Sequence, residues 1–382
     1  MRSHVDALVR EALTDAIEGG LFRVRAVPAY AVHEPADPAF GDLTCDVAMV
    51  LARETGRSPH AIAGVLLDRL RDPGRWLTRV EVGGPGFVNF RFAPGFWRML
   101  LEEAVAAGPA FGRGAAGRGR PARVLQAGVE AGAGSSLAAG RREAVAESAR
   151  RLLAASGWTV EDGTTAAPRT GILVAVVDAG DHATQASLRA AVDPAVLRVV
   201  PIGGVRLTRA GEPMPSATAG WSDVVQEIGE DAARFFVLRE VPGRPVELDL
   251  EQARRDGANN PLSRIRLAHA RLSRVLHGAG AAGEEAEPHA DLALLGEAEH
   301  EVLRLVVERP DVIARASHLL EPQHVVAHAL ELAGAVHRYY NRRRMLVADH
   351  ARLRARLALV RCARHVLGGA LEICAVTTAG RM

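Results

Sequence analysis

One stretch narrows the choice of fold more than any other: between residues 122 and 202, apolar runs alternate with helical periods. Ala122-Arg-Val-Leu-Gln reads as a strand, a Gly-rich loop runs from Gly128 to Ser136, and a helix follows from about Leu137 to Ser156. Gly157-Trp-Thr-Val-Glu gives a second strand and Ile172 to Val177 a third. After Asp178-Ala-Gly-Asp-His a helix runs to Ala191, and Leu197-Arg-Val-Val-Pro-Ile opens one more strand. Parallel strands need a crossover long enough to hold a helix, so this order predicts a short parallel sheet of about four strands.

The flanks obey different rules. Val5, Leu8, Val9, Ala12, Leu13 and Ile17 recur at helical spacing until Gly19-Gly20. A second helix is predicted from near Gly41 to Gly56. A third runs from Pro59 to Leu70, with Ser58 as N-cap and proline at the first helical position. Arg79-Val-Glu-Val and Phe87-Val-Asn-Phe-Arg-Phe alternate about Pro85-Gly86, which predicts a hairpin. A helix over 95–107 then leads into a Gly- and Arg-rich linker, Gly108 to Arg120. From Glu230 onward the chain reads as almost wholly helical, broken at Pro242 and Pro245, Asn259-Asn-Pro, Gly278 to Pro288, Pro310 and Pro322. The expected fold class is α/β plus all-α: a small α+β domain over 1–115, a parallel-sheet core over 116–240 and a helical bundle over 241–382. At about 100–200 residues per domain, 382 residues suits that division.

Composition removes several function classes. Hydrophobic residues make up 48% and charged residues 24%, which excludes wholesale disorder. A net charge of +2 is too small for binding nucleic acid over the whole surface, leaving local basic patches as the alternative. Cys45, Cys362 and Cys374 are too scattered for a disulfide framework or a zinc site. With no apolar run of membrane-spanning length and no signal-peptide core, the expectation is a reduced, cytoplasmic protein with no membrane partner. Gly128 to Gly134 follows a strand but lacks Gly-Lys-Ser/Thr, and Leu137 stands where a dinucleotide fingerprint needs its third glycine.

Several blocks fall in a telling order. Phe40-Gly-Asp, Arg57-Ser-Pro and Gly84-Pro-Gly-Phe-Val-Asn-Phe lie in the first segment. Gly229-Glu-Asp-Ala-Ala-Arg-Phe-Phe, Asp249-Leu-Glu, Asn259-Asn-Pro-Leu and Ala268-His-Ala-Arg-Leu-Ser lie in the third, followed by His337-Arg-Tyr-Tyr-Asn, Arg356-Leu-Ala-Leu and a final Arg381-Met382. Singly, each is a turn, a helix stop or core; collinear, they resemble the arginyl-tRNA synthetases nearly end to end. The resemblance implies an N-terminal tRNA-binding domain, a class I synthetase-like Rossmann core, here shrunken, and a C-terminal DALR-type anticodon-binding bundle.

It also implies where amino-acid activation should reside, and there the sequence departs from the pattern. A His-x-Gly-His tetrapeptide, whose imidazoles donate to ATP phosphates, corresponds to Ser136, Leu137, Ala138 and Ala139, so both histidines are gone. The second signature is a mobile loop whose cations neutralise the triphosphate. Its counterpart carries Ser216 in register, but Ala217 and Thr218 occupy the cation positions between Pro213, Pro215 and Gly220. A third loss is length, because Val160 to Gly171 is an ordinary connection where the family has a long piece of catalytic domain. Losing one placed donor to a developing charge commonly costs about 3 kcal/mol. Arginine activation is therefore not expected, no catalytic residue is assigned, and neither a cofactor nor a resident metal is implied. Asp178, Asp181 and His182 resemble a family Gly-Asp-His at a strand end. They read as the remnant of a pocket at the carboxyl side of the sheet, where open α/β folds bind ligands.

The expected partner is tRNA, an arginine tRNA by resemblance, and not DNA. By resemblance Asn89 reads an unstacked D-loop base, with Phe87 beside it and Arg91 on phosphate. Strand alternation places these three on one face and leaves Val88, Phe90 and Phe92 for the core. In the bundle, Tyr339 and Arg343 share one helix face and Tyr340 and Arg344 another. Val336 shares the Tyr340 face, so Tyr340 is expected inward, and Tyr339 with Arg343, Arg381 and Met382 forms the anticodon site. The alternatives are a tRNA-independent scaffold working through a protein partner or as a homodimer, and a tRNA-dependent biosynthetic enzyme of altered activity.

Overall fold

Helix α1 (Arg2–Glu18) forms on the predicted stripe, burying Val5, Leu8, Val9, Ala12 and Leu13. The computed structural model describes residues 1–24, 26–127, 136–161, 171–215, 219–257, 259–280, 290–342 and 347–378. Two compact units divide the chain, Met1–Glu102 and Glu103–Met382. In the first, strands β1 (Val32–His33), β2 (Leu43–Cys45), β3 (Leu77–Gly83) and β4 (Phe87–Phe92) make an antiparallel sheet of order β1-β2-β4-β3. Helices α2 (Val47–Thr55) and α3 (Pro59–Leu67) complete it. The Ser58 hydroxyl accepts from the Ala61 N–H at 3.3 Å, capping α3 as predicted.

The second helix does not begin near Gly41. The Asp42 N–H donates to the Phe90 carbonyl at 2.8 Å, and the Asp42 carboxylate accepts from the Phe92 N–H at 2.7 Å. These bonds hold the chain against β4, so β2 forms first and α2 waits until Asp46. Gly41 has φ of +137°, and a Cβ there would lie 2.6 Å from the Phe90 carbonyl oxygen, so glycine is required. Val88, Phe90 and Phe92 fill the core as the alternation predicts, with Phe92 stacked on Phe96 of helix α4 (Pro94–Ala107) at 4.3 Å between ring centroids.

The second unit holds a parallel sheet of order β6-β5-β7-β8, formed by β5 (Pro121–Gln126), β6 (Thr159–Glu161), β7 (Ile172–Asp178) and β8 (Leu197–Ile202). Helices α5 (Leu137–Ala155) and α6 (His182–Ala191) accompany it. Leu173 through Val177 are each fully buried, the continuous apolar run of a strand covered on both faces. A second sheet was not anticipated: β9 (Val205–Arg209), β10 (Glu212–Pro213) and β11 (Val246–Asp249), in the order β10-β9-β11. Strand β11 interrupts the region read as helical. It has only four residues, and its parallel partner β9 is remote in sequence, so no local pattern reveals it.

Helices α7 (Trp221–Ile228), α8 (Glu230–Val237) and α9 (Leu250–Arg254) bridge this sheet to the bundle. The bundle comprises α10 (Pro261–Gly278), α11 (Glu297–Val307), α12 (Arg309–Leu319), α13 (Gln323–Arg342) and α14 (His350–Ile373). Asn260 caps α10, accepting from Leu262 and Ser263 N–H groups while donating to the carbonyls of Ala253 and Arg255. Among the described residues no helix is long and apolar enough to cross a membrane.

Candidate nucleic-acid interface and the altered nucleotide site

On the N-terminal sheet, cross-strand pairing sets His33, Thr44, Asn89 and Glu81 in one row on the face away from Val88 and Phe90. Phe87 and Arg91 flank Asn89 on that face, as predicted, but Asn89 is not presented for base reading. It is only 4% exposed, and its Oδ1 accepts from the Thr44 hydroxyl at 2.7 Å. Asn89 thus joins β2 to β4 inside the row. Half-buried on the face, besides His33 and Glu81, are Phe87, edge-on to His33 at 6.2 Å, and Arg91, whose Nη2 donates to the Ala39 carbonyl at 2.9 Å. Phe40, the first residue of the Phe40-Gly-Asp block, stands beside that carbonyl and is 51% exposed, a placement that the sequence does not reveal.

In the second unit, Ser136 is the N-cap of α5 and its hydroxyl accepts from the Ala139 N–H at 3.1 Å. Leu137 and Ala138 are half-buried and Ala139 buried, so the tetrapeptide positions have become an ordinary capped helix start. Arg141 and Arg142 stand one turn on, where they would supply charge to an anion. Both are otherwise engaged. Arg141 is fully buried and donates to the carbonyls of Gly203, Gly204 and Arg244 through Nη1 and of Val241 through Nη2, at 2.6–3.2 Å. Burial pushes its pKa down to about 10. Arg142 pairs with Asp178 at 2.6 Å. Gly140 has the Trp221 indole directly against it, so that a Cβ would meet the ring at 1.9 Å.

Of the three remnant-pocket residues, Asp178 is thus tied to Arg142. Asp181 is the N-cap of α6, accepting from the Thr184 N–H at 3.0 Å, a bond that lowers its pKa, and His182 is exposed on the first turn. Among the described residues no group of three or more His, Cys, Asp or Glu side chains is arranged to hold a metal. Ser216, Ala217 and Thr218 lie outside the described residues. The chain leading to them is held: Pro213 pairs with Thr208 in β10, and the Gly211 N–H donates to Asp249 at 2.7 Å. Arg209, a conceivable stand-in cation, is paired with Glu227 at 2.8 Å.

In the bundle the two tyrosines are the reverse of the expectation. Tyr339 is buried, and its hydroxyl donates to Glu299 Oε1 at 2.9 Å; Tyr340 is half-buried, with the Arg271 guanidinium 5.1 Å from its ring centre. The reason is the full helical neighbourhood. Tyr339 has buried residues at i−7, i−4 and i−3 (332, 335 and 336), while Tyr340, with 333 and 336 also buried beneath it, has the half-buried His337 at i−3, so the difference lies at that one position. Glu299 also accepts from Arg356 at 2.9 Å and from the Gly296 N–H at 3.0 Å, tying α11, α13 and α14 together. Arg271 was missed because it sits on another helix. It is oriented by donating to His337 Nδ1 at 2.9 Å, while His337 Nε2 donates to the Arg264 carbonyl at 3.1 Å. Burial and the neighbouring arginines lower the His337 pKa, consistent with that neutral tautomer. Arg343, Arg381 and Met382 lie outside the described residues. The chain before them is anchored, with Thr377 and Arg266 both bonded to Asp231.

A small α+β module, a parallel sheet and a helical bundle follow one another along the chain, the order in which the matches to aminoacyl-tRNA synthetases also fall. Residues 3–92 match the arginyl tRNA synthetase N terminal domain model and residues 265–382 the DALR anticodon binding domain model. The arginine–tRNA ligase of Desulfitobacterium hafniense is 22% identical over 558 aligned positions, covering 100% of this chain and 99% of the relative. That of Dehalococcoides mccartyi (strain ATCC BAA-2100) is 39% identical over 161 positions, 41% of this chain and 28% of the relative. Thermus thermophilus arginyl-tRNA synthetase has the same fold, with a TM-score of 0.76 at 14% identity over 100% of both chains. The chain belongs to the arginyl-tRNA synthetase family.

Proposed function

We propose that this protein is an arginyl-tRNA synthetase relative that does not activate arginine and acts in the cytoplasm by binding tRNA through its outer modules. The carrying observation is the start of α5. Ser136 and Ala139 replace the family's histidines, Arg141 is consumed by four carbonyls and Arg142 by Asp178. A triphosphate would meet a capped helix with its nearest cations already committed. Length supports the same reading, since 558 aligned positions against a chain of 382 leave a large part of the D. hafniense enzyme without a counterpart.

The tRNA-facing surface of the bundle is then the Tyr340–Arg271 pair, an aromatic plate with a guanidinium fixed beside it, which suits an unstacked base and its phosphate. On the N-terminal module the contacts are Phe87, Arg91 and Phe40, with Asn89 as their internal brace. The test is twofold. Arginine-dependent ATP–pyrophosphate exchange, with and without tRNA, should stay at background, and robust exchange overturns the proposal. A gel shift with total tRNA should show binding that weakens steeply with salt as counterions are released. No binding at low salt would favour the scaffold instead.

A further inference from the structure

The inherited nucleotide site lies at the carboxyl ends of β5 and β7. A separate cavity of about 500 Å³ opens at the other end of the same strands. Arg120 immediately precedes β5, Ile172 opens β7 and Val196 leads into β8, while His318 and Leu320 close the cavity from α12 and its C-cap. At about 3.3 Å per residue, the six residues of β5 separate this cavity from the start of α5 by roughly 20 Å. Ligands of open α/β sheets favour the carboxyl ends, so the cavity is not the family's site displaced.

Its chemistry is one-sided. Arg120, Arg198 and His318 line it, and no carboxylate does. By comparison, Arg142, Arg209 and Arg338 elsewhere in the unit each have a carboxylate partner. Arg198 donates only to its neighbouring Leu197 carbonyl and Arg120 only to that of Gly117, so among the described residues neither forms an ion pair. A guanidinium offers five donors, and most of these remain for an anion. Beside the charge is a flat surface: the Arg120 guanidinium lies 4.7 Å from the Trp158 ring centre. Indole and guanidinium planes are both surfaces on which a base stacks. Leu320 holds a left-handed C-cap at φ of +56°, a conformation that costs a non-glycine residue about 1–2 kcal/mol, and its side chain contributes to the apolar lining.

We propose that this cavity binds a nucleoside 5′-phosphate, either free or as the terminal unit of an RNA. Arg120, Arg198 and His318 hold the phosphate, and the Trp158–Arg120 pair stacks the base. About 500 Å³ falls within the usual range for small-ligand sites and accommodates one nucleotide. The proposal is independent of tRNA binding by the outer modules, and its test is read separately.

Calorimetric titration of the full chain with AMP, GMP, CMP and UMP should show saturable one-site binding by at least one of them, with inorganic phosphate and the parent nucleoside much weaker. Arg120→Ala and Arg198→Ala remove exposed side chains, so both variants should fold, as checked by thermal melting. Each should weaken binding about tenfold, the loss of one charge-assisted contact. A 5′-phosphorylated trinucleotide binding more tightly than the mononucleotide assigns an RNA end, and the reverse assigns a free nucleotide; either upholds the site. Three outcomes overturn it: no saturable binding of any mononucleotide, equal binding of inorganic phosphate, or nucleotide binding that both arginine variants leave unchanged.

Discussion

Arg141 shows how a single side chain can be diverted from ligand binding to structure. A buried guanidinium is costly unless its donors are used, and here four backbone carbonyls from the 203–204 and 241–244 segments receive its Nη1 and Nη2 donors. Arg141→Met should lower unfolding free energy by about 3 kcal/mol or more in urea titration, because four carbonyls lose one charged donor group together. A loss below about 1 kcal/mol would mean water replaces it. The two tyrosines of α13 should separate stability from binding. Tyr339→Phe removes a hydroxyl bonded to buried Glu299 and should cost about 1–1.5 kcal/mol of stability with unchanged tRNA affinity. Tyr340→Ala should leave stability nearly intact and weaken tRNA binding by about 1–3 kcal/mol, the worth of one stacked base, measured by gel shift. The opposite pattern would restore the outward Tyr339.

At the scale of elements, the interface where α14 packs on α10, reached by Arg309 at the start of α12, carries a pH dependence. His365 lies there with Arg364, Arg309, Arg361 and His269, and burial first, then these cations, lowers its pKa to about 4. Buried Arg309, on α12, donates to the His365 carbonyl, and Glu372 opposes the cluster by raising the Arg309 pKa. His269 is lowered for the same reasons, by burial and Arg364. Protonating a histidine whose folded pKa is depressed costs the native state more than the unfolded one. Stability is therefore present above about pH 6.5 and is lost as pH falls from there toward about 4. His365→Gln should flatten that part of the thermal-stability profile between pH 7 and 5 relative to the parent chain. Parallel profiles for the two proteins would show that other groups govern acid sensitivity.

For the whole molecule, the division at Glu102 predicts that residues 103–382 fold without the first unit, because the parallel sheet and bundle hold their own buried cores. That fragment should unfold in one cooperative urea transition and bind tRNA more weakly than the full chain; a broad, non-cooperative transition would contradict it. Much of this architecture was written locally. The period of α1, the Ser58-Pro59 start of α3, the Phe87–Phe92 alternation and the apolar run of β7 each report on their own neighbours in the chain. The altered residues 136–139 were legible for the same reason, since a missing imidazole is missing in any fold. What tertiary structure alone decided is partnership. β11 exists because β9 reaches it. Asn89 is withdrawn from the surface by Thr44 on a neighbouring strand. Tyr339 turns inward to Glu299, and Arg271 reaches Tyr340 from a different helix. Arg141 and Arg142 are spent on the 203–204 and 241–244 segments and on Asp178 rather than on phosphate. Helical and strand periodicity fixes which residues share a face. Which face meets water depends on groups that the folded chain brings together from far apart in sequence, and for these polar residues that choice separated binding from bracing.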